Sequence, residues 1–281
     1  MTAGRCSDLS AEAGESLVAT ATPVDTWLLV EVRGTWPHDV SDAAALGESA
    51  AAGVSEWLAR QPASKLLFIR RPGRARERRQ LFVVRASDRE SHMRRVELAP
   101  TDDLAEVDLD AGEPVDARLV LVCGHGTRDA CCALRGSAVH GALAAHLGPD
   151  ELWLSSHQGG HRFAANVLVL PTGVQLGRVT PEDAPRVVGD ALAGHISLER
   201  YRGRTAYSAR EQAAEHAVRA ATGLTSLSDL RLMGDDGEYV RFADCDGREY
   251  RARPEAIAGP TVPASCGAEP SPQAQLVASF D

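Results

Sequence analysis

The middle of the chain has an order of strand and helix patterns that few folds accommodate. Residues 118–122 form an apolar, β-branched run typical of a buried strand. Apolar residues at helical spacing follow over 136–147, and a second apolar run lies at 152–154. Two further runs within 166–179 flank Pro-Thr-Gly and predict a hairpin, after which Thr180 begins a helix-start pattern. The order β-α-β, then β-β-α, predicts a mixed sheet flanked by helices.

The predicted fold class is α/β, and the chain is divided into three parts. Residues 1–112 predict an N-terminal α/β domain, in which a basic stretch at 70–79 forms a turn between strands. Residues 113–203 hold the order described above, which is that of a thioredoxin-like sheet, and an acidic polar stretch at 101–116 marks the preceding linker. Residues 204–281 predict a small α+β extension with a mobile tail. No internal repeat is visible.

Composition excludes several kinds of partner. The 281 residues carry a net charge of −9, which argues against nucleic acids and anionic membranes, since both attract basic proteins. No apolar run is long enough to cross a bilayer, and the first sixteen residues lack the basic region and apolar core of a secretory signal. We therefore expect a cytoplasmic protein without nucleic-acid or membrane partners, and the sequence does not indicate its oligomeric state.

Two loops that follow predicted strands concentrate residues able to bind metal. The first runs from Cys123 to Cys132, and the second contains His157 and His161. Loops at the ends of neighbouring strands meet at one edge of a sheet, where α/β folds place their sites. Thiolates suit iron–sulfur clusters and zinc, and imidazole suits zinc and iron, so both kinds of centre stay open. The long spacing between the cysteines differs from a zinc finger and favours a binuclear cluster.

The residues around these loops resemble a known family. The Cys-Ala-Leu-Arg-Gly stretch at 132–136 and the hairpin and helix start at 167–183 are similar to those of thioredoxin-like 2Fe–2S ferredoxins. Where those ferredoxins have C-x3-C, this chain has His157 and His161. Together with the upstream C-G-H-x-x-R-D-x-x-C pattern, this resembles the sucrase/ferredoxin-like family, and the similarity extends from Cys6 into the last third of the chain.

The resemblance implies a 2Fe–2S cluster with four ligands, Cys123, Cys132, His157 and His161. It also implies an electron carrier with an unidentified redox partner protein rather than a stand-alone enzyme. Imidazole ligands can couple reduction to proton uptake. Two other hypotheses stay open: a zinc-stabilised interaction module without redox activity, and a thiol oxidoreductase using Cys131 and Cys132. The vicinal pair lacks the C-x-x-C spacing of such oxidoreductases.

Further side chains are candidates for supporting the centre. They lie next to the predicted ligands in sequence: His125, Arg128, Asp129, Cys131, Gly159, Gly160 and Asn166. Arg128 and Asp129 fit either an internal ion pair or hydrogen bonds that tune the centre. Cys131 is the alternative ligand to Cys132, and the resemblance favours Cys132. The two glycines let the backbone pass close to a bulky centre.

The three remaining cysteines lie far apart in the chain. Cys6, Cys245 and Cys266 fall in unrelated segments, without the spacing of a ligand set. A reducing cytosol also disfavours disulfides between them. We therefore predict structural or incidental roles for all three.

Overall fold

Nineteen principal helices and strands make up the computed structural model, which describes residues 4–41, 43–73 and 77–280. In chain order they are α1 (Cys6–Glu12), β1 (Thr26–Glu31), α2 (Glu48–Ala59), β2 (Ser64–Arg70), β3 (Arg79–Arg85), β4 (His92–Leu98), β5 (Glu113–Pro114), β6 (Leu119–Cys123), α3 (Ala130–Leu143), β7 (Leu152–Ser155), β8 (Val167–Leu170), β9 (Val174–Leu176), α4 (Ala184–Leu192), β10 (Tyr201–Arg204), α5 (Ala209–Thr222), β11 (Arg231–Asp235), β12 (Val240–Ala243), β13 (Glu249–Pro263) and β14 (Pro270–Phe280). The predicted α/β fold class is confirmed.

Ten of the fourteen described strands form one sheet, in the order β10-β9-β8-β6-β7-β2-β1-β3-β4-β5. β6 and β7 are parallel, with α3 between them in the chain. β8 is antiparallel to β6, and β9 is antiparallel to β8. The order β9-β8-β6-β7, followed in the chain by α4, is the thioredoxin-like arrangement that the strand and helix patterns predicted.

The N-terminal half repeats this topology, although no repeat is visible in the sequence. β1 and β2 are parallel with α2 between them, β3 is antiparallel to β1, and β4 is antiparallel to β3. Counted outward from the middle of the sheet, the strands β2-β1-β3-β4 on one side therefore correspond to β7-β6-β8-β9 on the other. The two sets meet at the antiparallel pair β2–β7. The two halves share a strand order, which depends on long-range pairing and is not encoded in any short motif.

The central strands are buried on both faces, which explains their continuous apolar sequences. All six residues of β1 are buried, and alternate side chains enter different clusters. Leu28 and Val30 pack on the side of α2, whereas Trp27 and Leu29 face a cluster that also includes Trp153 of β7. Because that second cluster contains side chains from both halves, it joins them into one core.

The C-terminal residues form a second sheet, in the order β11-β12-β13-β14. α5 begins at a capping box made by Ser208 and Glu211, as the predicted helix near 208–222 requires. The predicted mobile tail differs from the structure, because residues 270–280 pair with β13 in a long hairpin. The cross-strand hydrogen bonds of this pairing are not visible in the Pro- and Ser-rich composition of the segment.

Three details of the predicted organisation concern segment limits. The acidic stretch predicted as a linker contains β5, and its Leu104 and Leu109 are buried. Within the basic stretch predicted as a turn, residues 74–76 lie outside the described residues. The domain limits at 112/113 and 203/204 stay predictions.

Candidate metal centre

The first loop brings its cysteines to the edge of the sheet through a strand end and a helix start. β6 ends at Cys123, and Cys131 and Cys132 lie in the first turn of α3. Asp129 is the N-cap of α3, where its Oδ1 accepts a hydrogen bond from the Cys131 N–H at 2.8 Å. Gly136 lets α3 approach the backbone of Cys123 closely. The helix therefore holds Cys132 beside Cys123.

The second loop continues from β7 and is fixed by buried hydrogen bonds. The Ser156 N–H donates to the Phe68 carbonyl at 2.7 Å, which extends the strand by one residue. The fully buried Gln158 side chain donates through Nε2 to the Leu121 carbonyl and to Ser155 Oγ, each at 2.8 Å. These bonds place His157 at the edge of the sheet, and a short 3₁₀ helix (His161–Phe163) follows.

The four predicted ligands come together at this edge. Ligand atoms of Cys123, Cys132 and His157 lie within 4.8 Å of one another, and those of Cys132, His161 and Asp129 form a second such group. The Cys132 Sγ lies 3.7 Å from His161 Nδ1. The His157 and His161 rings stack with centroids 3.8 Å apart. The predicted residues are thus adjacent, and their role as ligands stays a prediction.

The electrostatics of the site favour the metal-binding forms of Cys123 and His161. A hydrogen bond from the Cys132 thiol, together with the approach of His157, lowers the pKa of Cys123 well below its usual value. The same contact and burial raise the pKa of Cys132. Burial, together with the neighbouring His157, lowers the pKa of His161 to about 4. The lowered pKa of Cys123 favours its thiolate, and His161 is a neutral imidazole at neutral pH; these are the forms that bind metals. The raised pKa of Cys132 favours its thiol until a metal displaces the proton.

His125 orients the second loop from the first. Its Nδ1 accepts a hydrogen bond from the His157 N–H at 3.1 Å, and its Nε2 lies 2.8 Å from the Pro37 carbonyl oxygen. This network assigns the proton to Nε2, which donates to Pro37. Burial lowers the pKa of His125. With both ring nitrogens hydrogen-bonded, the structure places His125 as a support for His157.

The other predicted supporting residues take separate positions. The Arg128 guanidinium lies 3.1 Å from His38 Nδ1 and 4.0 Å from Asp39, whereas Asp129 caps α3. The Cys131 sulfur points away from the candidate centre, 3.6 Å from the Cys6 sulfur. Asn166 Nδ2 donates to the Gly160 carbonyl at 2.9 Å. Asn166 therefore braces the loop that carries the histidines.

Glycine is needed at two positions of the second loop, because the backbone conformation and neighbouring side chains leave no room for a Cβ. Gly159 and Gly160 have φ values of 107° and 70°, in the region that favours glycine. A Cβ on Gly159 would lie 2.3 Å from Thr22 Oγ1, and one on Gly160 would lie 2.7 Å from an Arg202 nitrogen. Their close approach is therefore to Thr22 and Arg202.

Arg202 is a supporting residue that the sequence did not reveal. Its side chain is buried, with 2% of the residue exposed. The guanidinium donates to the Gly159 carbonyl at 3.0 Å and to Asn166 Oδ1 at 2.8 Å. Burial lowers its pKa to about 9, so it is still charged at neutral pH. Arginines at 200, 202 and 204 alternate as on an exposed strand face, and this pattern concealed the burial of Arg202 and Arg204.

A cavity of about 410 Å³ opens beside the histidine loop. Its lining includes His157, Arg128 and Lys65, which is the only lysine in the chain. Burial lowers the pKa of Lys65, while the nearby Cys123 opposes that shift. The sequence did not single out Lys65, although a lone lysine at a strand start was a usable signal.

Comparison with known proteins identifies relatives in yeasts. The chain is 32% identical over 104 residues to Altered inheritance of mitochondria protein 32 of Meyerozyma guilliermondii, covering 32% of this chain and 36% of that protein. It is 36% identical over 100 residues to the protein of the same name in Clavispora lusitaniae, covering 33% and 37%. The chain thus spans little more than a third of the curated relatives it matches.

These relatives correct the predicted function. Their name refers to the inheritance of mitochondria and not to electron transfer. The prediction of an electron-transfer protein with proton-coupled reduction is therefore wrong, as is its alternative of a zinc-stabilised interaction module. The physical reason is that donor atoms determine which metal centre a site can bind, whereas they do not determine how that centre is used.

A solved structure is also similar to part of this chain, and the helices can be examined for membrane-spanning character. The thioredoxin-like [2Fe-2S] ferredoxin from Aquifex aeolicus aligns with 22% identity and a TM-score of 0.26, over 31% of this chain and 91% of that protein. Within the part of the chain that the structure describes, no helix combines the length and apolar character needed to cross a membrane.

The family assignment comes from a long stretch of the sequence and not from a single motif. The sequence model of the sucrase/ferredoxin-like family matches residues 17–203, which is more than half of the chain. The matched range contains both loops of the candidate centre and both copies of the repeated strand order. The chain belongs to the sucrase/ferredoxin-like family.

Proposed function

We propose that this chain is a 2Fe–2S cluster-binding protein whose ligands are Cys123, Cys132, His157 and His161. The observation that carries the proposal is the buried Nδ1 of His157, which has no hydrogen-bond partner among the described residues. It belongs to a side chain whose ligand atom lies within 4.8 Å of both cysteine sulfurs. An unpaired buried polar atom is costly, and a metal bound to that nitrogen would remove the cost.

The arrangement of donor atoms favours two metal ions over one. A single tetrahedral zinc ion with Zn–S bonds of 2.3 Å needs donor atoms about 3.8 Å apart. Here the donors form two overlapping groups, and neither group holds all four predicted ligands, as the compact site of a single ion would. Asp129, the remaining member of these groups, also belongs to a separate group with Cys6, Cys131 and Cys266. Two cysteines and two histidines also ligate the 2Fe–2S centres of Rieske proteins.

The surroundings support the same proposal. All six cysteines are free, which fits a reducing compartment, and cytoplasmic location is part of the proposal. The cavity beside His157 would leave the centre accessible from one side. A protein partner that docks over this cavity, and the absence of nucleic-acid partners, are predictions that belong to the same proposal.

Replacing either cysteine ligand is expected to abolish cluster binding. Protein purified without oxygen should absorb visible light and contain about two iron and two sulfide ions per chain. Cys123→Ser and Cys132→Ser should lack both, because a hydroxyl is a poor substitute for a thiolate ligand to iron. Cys131→Ser tests the alternative register and should stay coloured, and Cys245→Ser, which changes an exposed cysteine, is the control. Colourless wild-type protein, or loss of colour only in Cys131→Ser, would contradict this ligand set.

Exchanging a histidine for cysteine is expected to keep the cluster and remove a nitrogen ligand. His157→Cys and His161→Cys each supply a thiolate, which suits iron. Pulsed EPR of the chemically reduced wild type should show couplings from two histidine nitrogens, and each variant should show one. His125→Gln, which changes a hydrogen-bonded neighbour, is the control and should keep both couplings. Two couplings in either cysteine variant would show that the replaced histidine is not a ligand.

A further inference from the structure

Three cysteines from distant parts of the chain meet next to the candidate centre. Cys6 lies at the start of α1, Cys131 at the start of α3, and Cys266 in the turn between β13 and β14. The Cys131 sulfur lies 3.6 Å from the Cys6 sulfur and 3.2 Å from the Cys266 sulfur, and those two are 3.6 Å apart. The sequence spacing, from which we predicted structural or incidental roles for Cys6 and Cys266, therefore conceals a three-thiol cluster.

The geometry of this cluster suits a single tetrahedral ion. Zinc–sulfur bonds of 2.3 Å at tetrahedral angles place the sulfurs about 3.8 Å apart. The observed triangle is slightly smaller, so a small outward movement of the thiols would admit an ion bonded to all three. Cys6 and Cys131 are 0% exposed, and Cys266 is partly buried. A disulfide would use two of these sulfurs and leave the third buried beside it.

Asp129 completes a set of four donors. Its ligand atom lies within 4.8 Å of all three sulfurs, and its Oδ2 is 3.8 Å from the Cys6 sulfur. The N–H groups of Cys131 and Cys266 donate to Oδ1 and Oδ2, each at 2.8 Å. These bonds fix the carboxylate without using all its lone pairs. Three thiolates and a carboxylate form a closed set without a position for substrate, which is typical of structural zinc.

We propose that Cys6, Cys131, Cys266 and Asp129 bind one zinc ion at a structural site separate from the centre formed by the four ligands above. This zinc site goes beyond the proposed 2Fe–2S cluster and does not depend on it. Zinc at this site would tie α1 and the C-terminal hairpin to the first turn of α3, which also carries Cys132. Segments from both ends of the chain would thus hold the helix that forms one wall of the candidate centre.

Neighbouring contacts already bring α1 to this position. Ser7 Oγ donates to the Cys131 sulfur at 3.3 Å, and Arg135 of α3 donates through Nε to Ser7 Oγ at 2.8 Å. Arg135 also forms an ion pair with Asp8. These contacts pre-organise the thiols, so an ion would bind with little further ordering of the chain.

Removing one thiol is expected to remove one zinc ion. The full chain is expressed with added zinc, purified without oxygen, and analysed for metals by mass spectrometry. Cys6→Ser and Cys266→Ser should each contain about one zinc ion fewer per chain than the wild type. Cys245→Ser, which changes an exposed cysteine outside the cluster, should contain as much zinc as the wild type. Cys123→Ser should keep the ion, which separates this result from any failure of the cluster proposal.

A second measurement uses the wild-type chain, so it does not depend on the folding of variants. With zinc bound, Cys6, Cys131 and Cys266 should resist alkylation, and a strong chelator should expose all three, as mapped by peptide mass spectrometry. Wild-type protein without zinc, whether its thiols are free or Cys131 and Cys266 form a disulfide, would overturn the proposal. Wild-type zinc content in both Cys6→Ser and Cys266→Ser would also overturn it, as would loss of the ion in Cys123→Ser alone.

Discussion

Gly136→Ala is expected to abolish metal binding at the candidate centre and to destabilise the fold by about 1–3 kcal/mol. The Cβ of an alanine at this position would lie 2.0 Å from the Cys123 carbonyl oxygen. That oxygen belongs to the end of β6, where the Cys123 N–H donates to the Asn166 carbonyl and Cys123 pairs with Ser155. Because the strand is held from both sides, α3 must move outward and carry Cys132 with it.

The matched control lies in the same helix. Gly141 has nothing within 4 Å of the position that a Cβ would take. Gly141→Ala should therefore stabilise the helix by up to about 1 kcal/mol through helix propensity alone. Urea unfolding and iron and sulfide content, measured on both variants, check the prediction. Wild-type stability and iron content in Gly136→Ala would show that α3 does not need this close contact.

Arg202→Met is expected to destabilise the protein by about 3 kcal/mol or more. The substitution leaves the Gly159 carbonyl and Asn166 Oδ1 without their donor, together with Thr20, whose Oγ1 and carbonyl also accept from Arg202. Each buried acceptor without a partner costs about 1–3 kcal/mol. Two of these acceptors hold the segment between His157 and His161, so hydrogen exchange in that loop should accelerate as well.

Arg186→Met is the corresponding control at the surface. Arg186 is 57% exposed and pairs with Asp190 and Glu199, which are also exposed. Surface ion pairs contribute about 0–1 kcal/mol, so the control should lose far less stability than Arg202→Met. Urea unfolding gives the free energies, and hydrogen exchange gives the loop opening. Equal effects of the two substitutions would mean that the buried guanidinium does not stabilise the loop.

The parts of the fold that local sequence encodes were predictable. Strands such as 118–122 form continuous apolar runs because both faces of the sheet are covered, and the order of runs and helices then predicts the thioredoxin-like half. The repeated strand order in the N-terminal half was missed because β4 is partly exposed and charged, and its sequence contains no continuous apolar run. The 270–280 strand was missed because its partner β13 supplies the hydrogen bonds that its composition does not suggest.

In the candidate site, too, some contacts were predictable from the sequence and others were not. The approach of Cys123 to His157 follows from the rule that parallel strand ends share one edge of a sheet, so the sequence was sufficient. The meeting of Cys6 with Cys266 depends on how both termini fold back onto α3, and no spacing along the chain reports it. Arg202 was concealed because its burial depends on the loop packed against it and not on its neighbours in sequence.

The junction between the repeated halves gives the candidate centre a mechanical consequence. β2 and β7 share only two residue pairs, Ile69 with Ser155 and Arg70 with Leu154, extended by hydrogen bonds between Phe68 and Ser156. His157 is the next residue, so any slippage at this seam would displace a predicted ligand. A metal centre bound through His157 would stabilise the pairing of β2 with β7, because ligand binding stabilises the state that binds it. By the same linkage, separation of β2 from β7 would weaken metal binding at the centre.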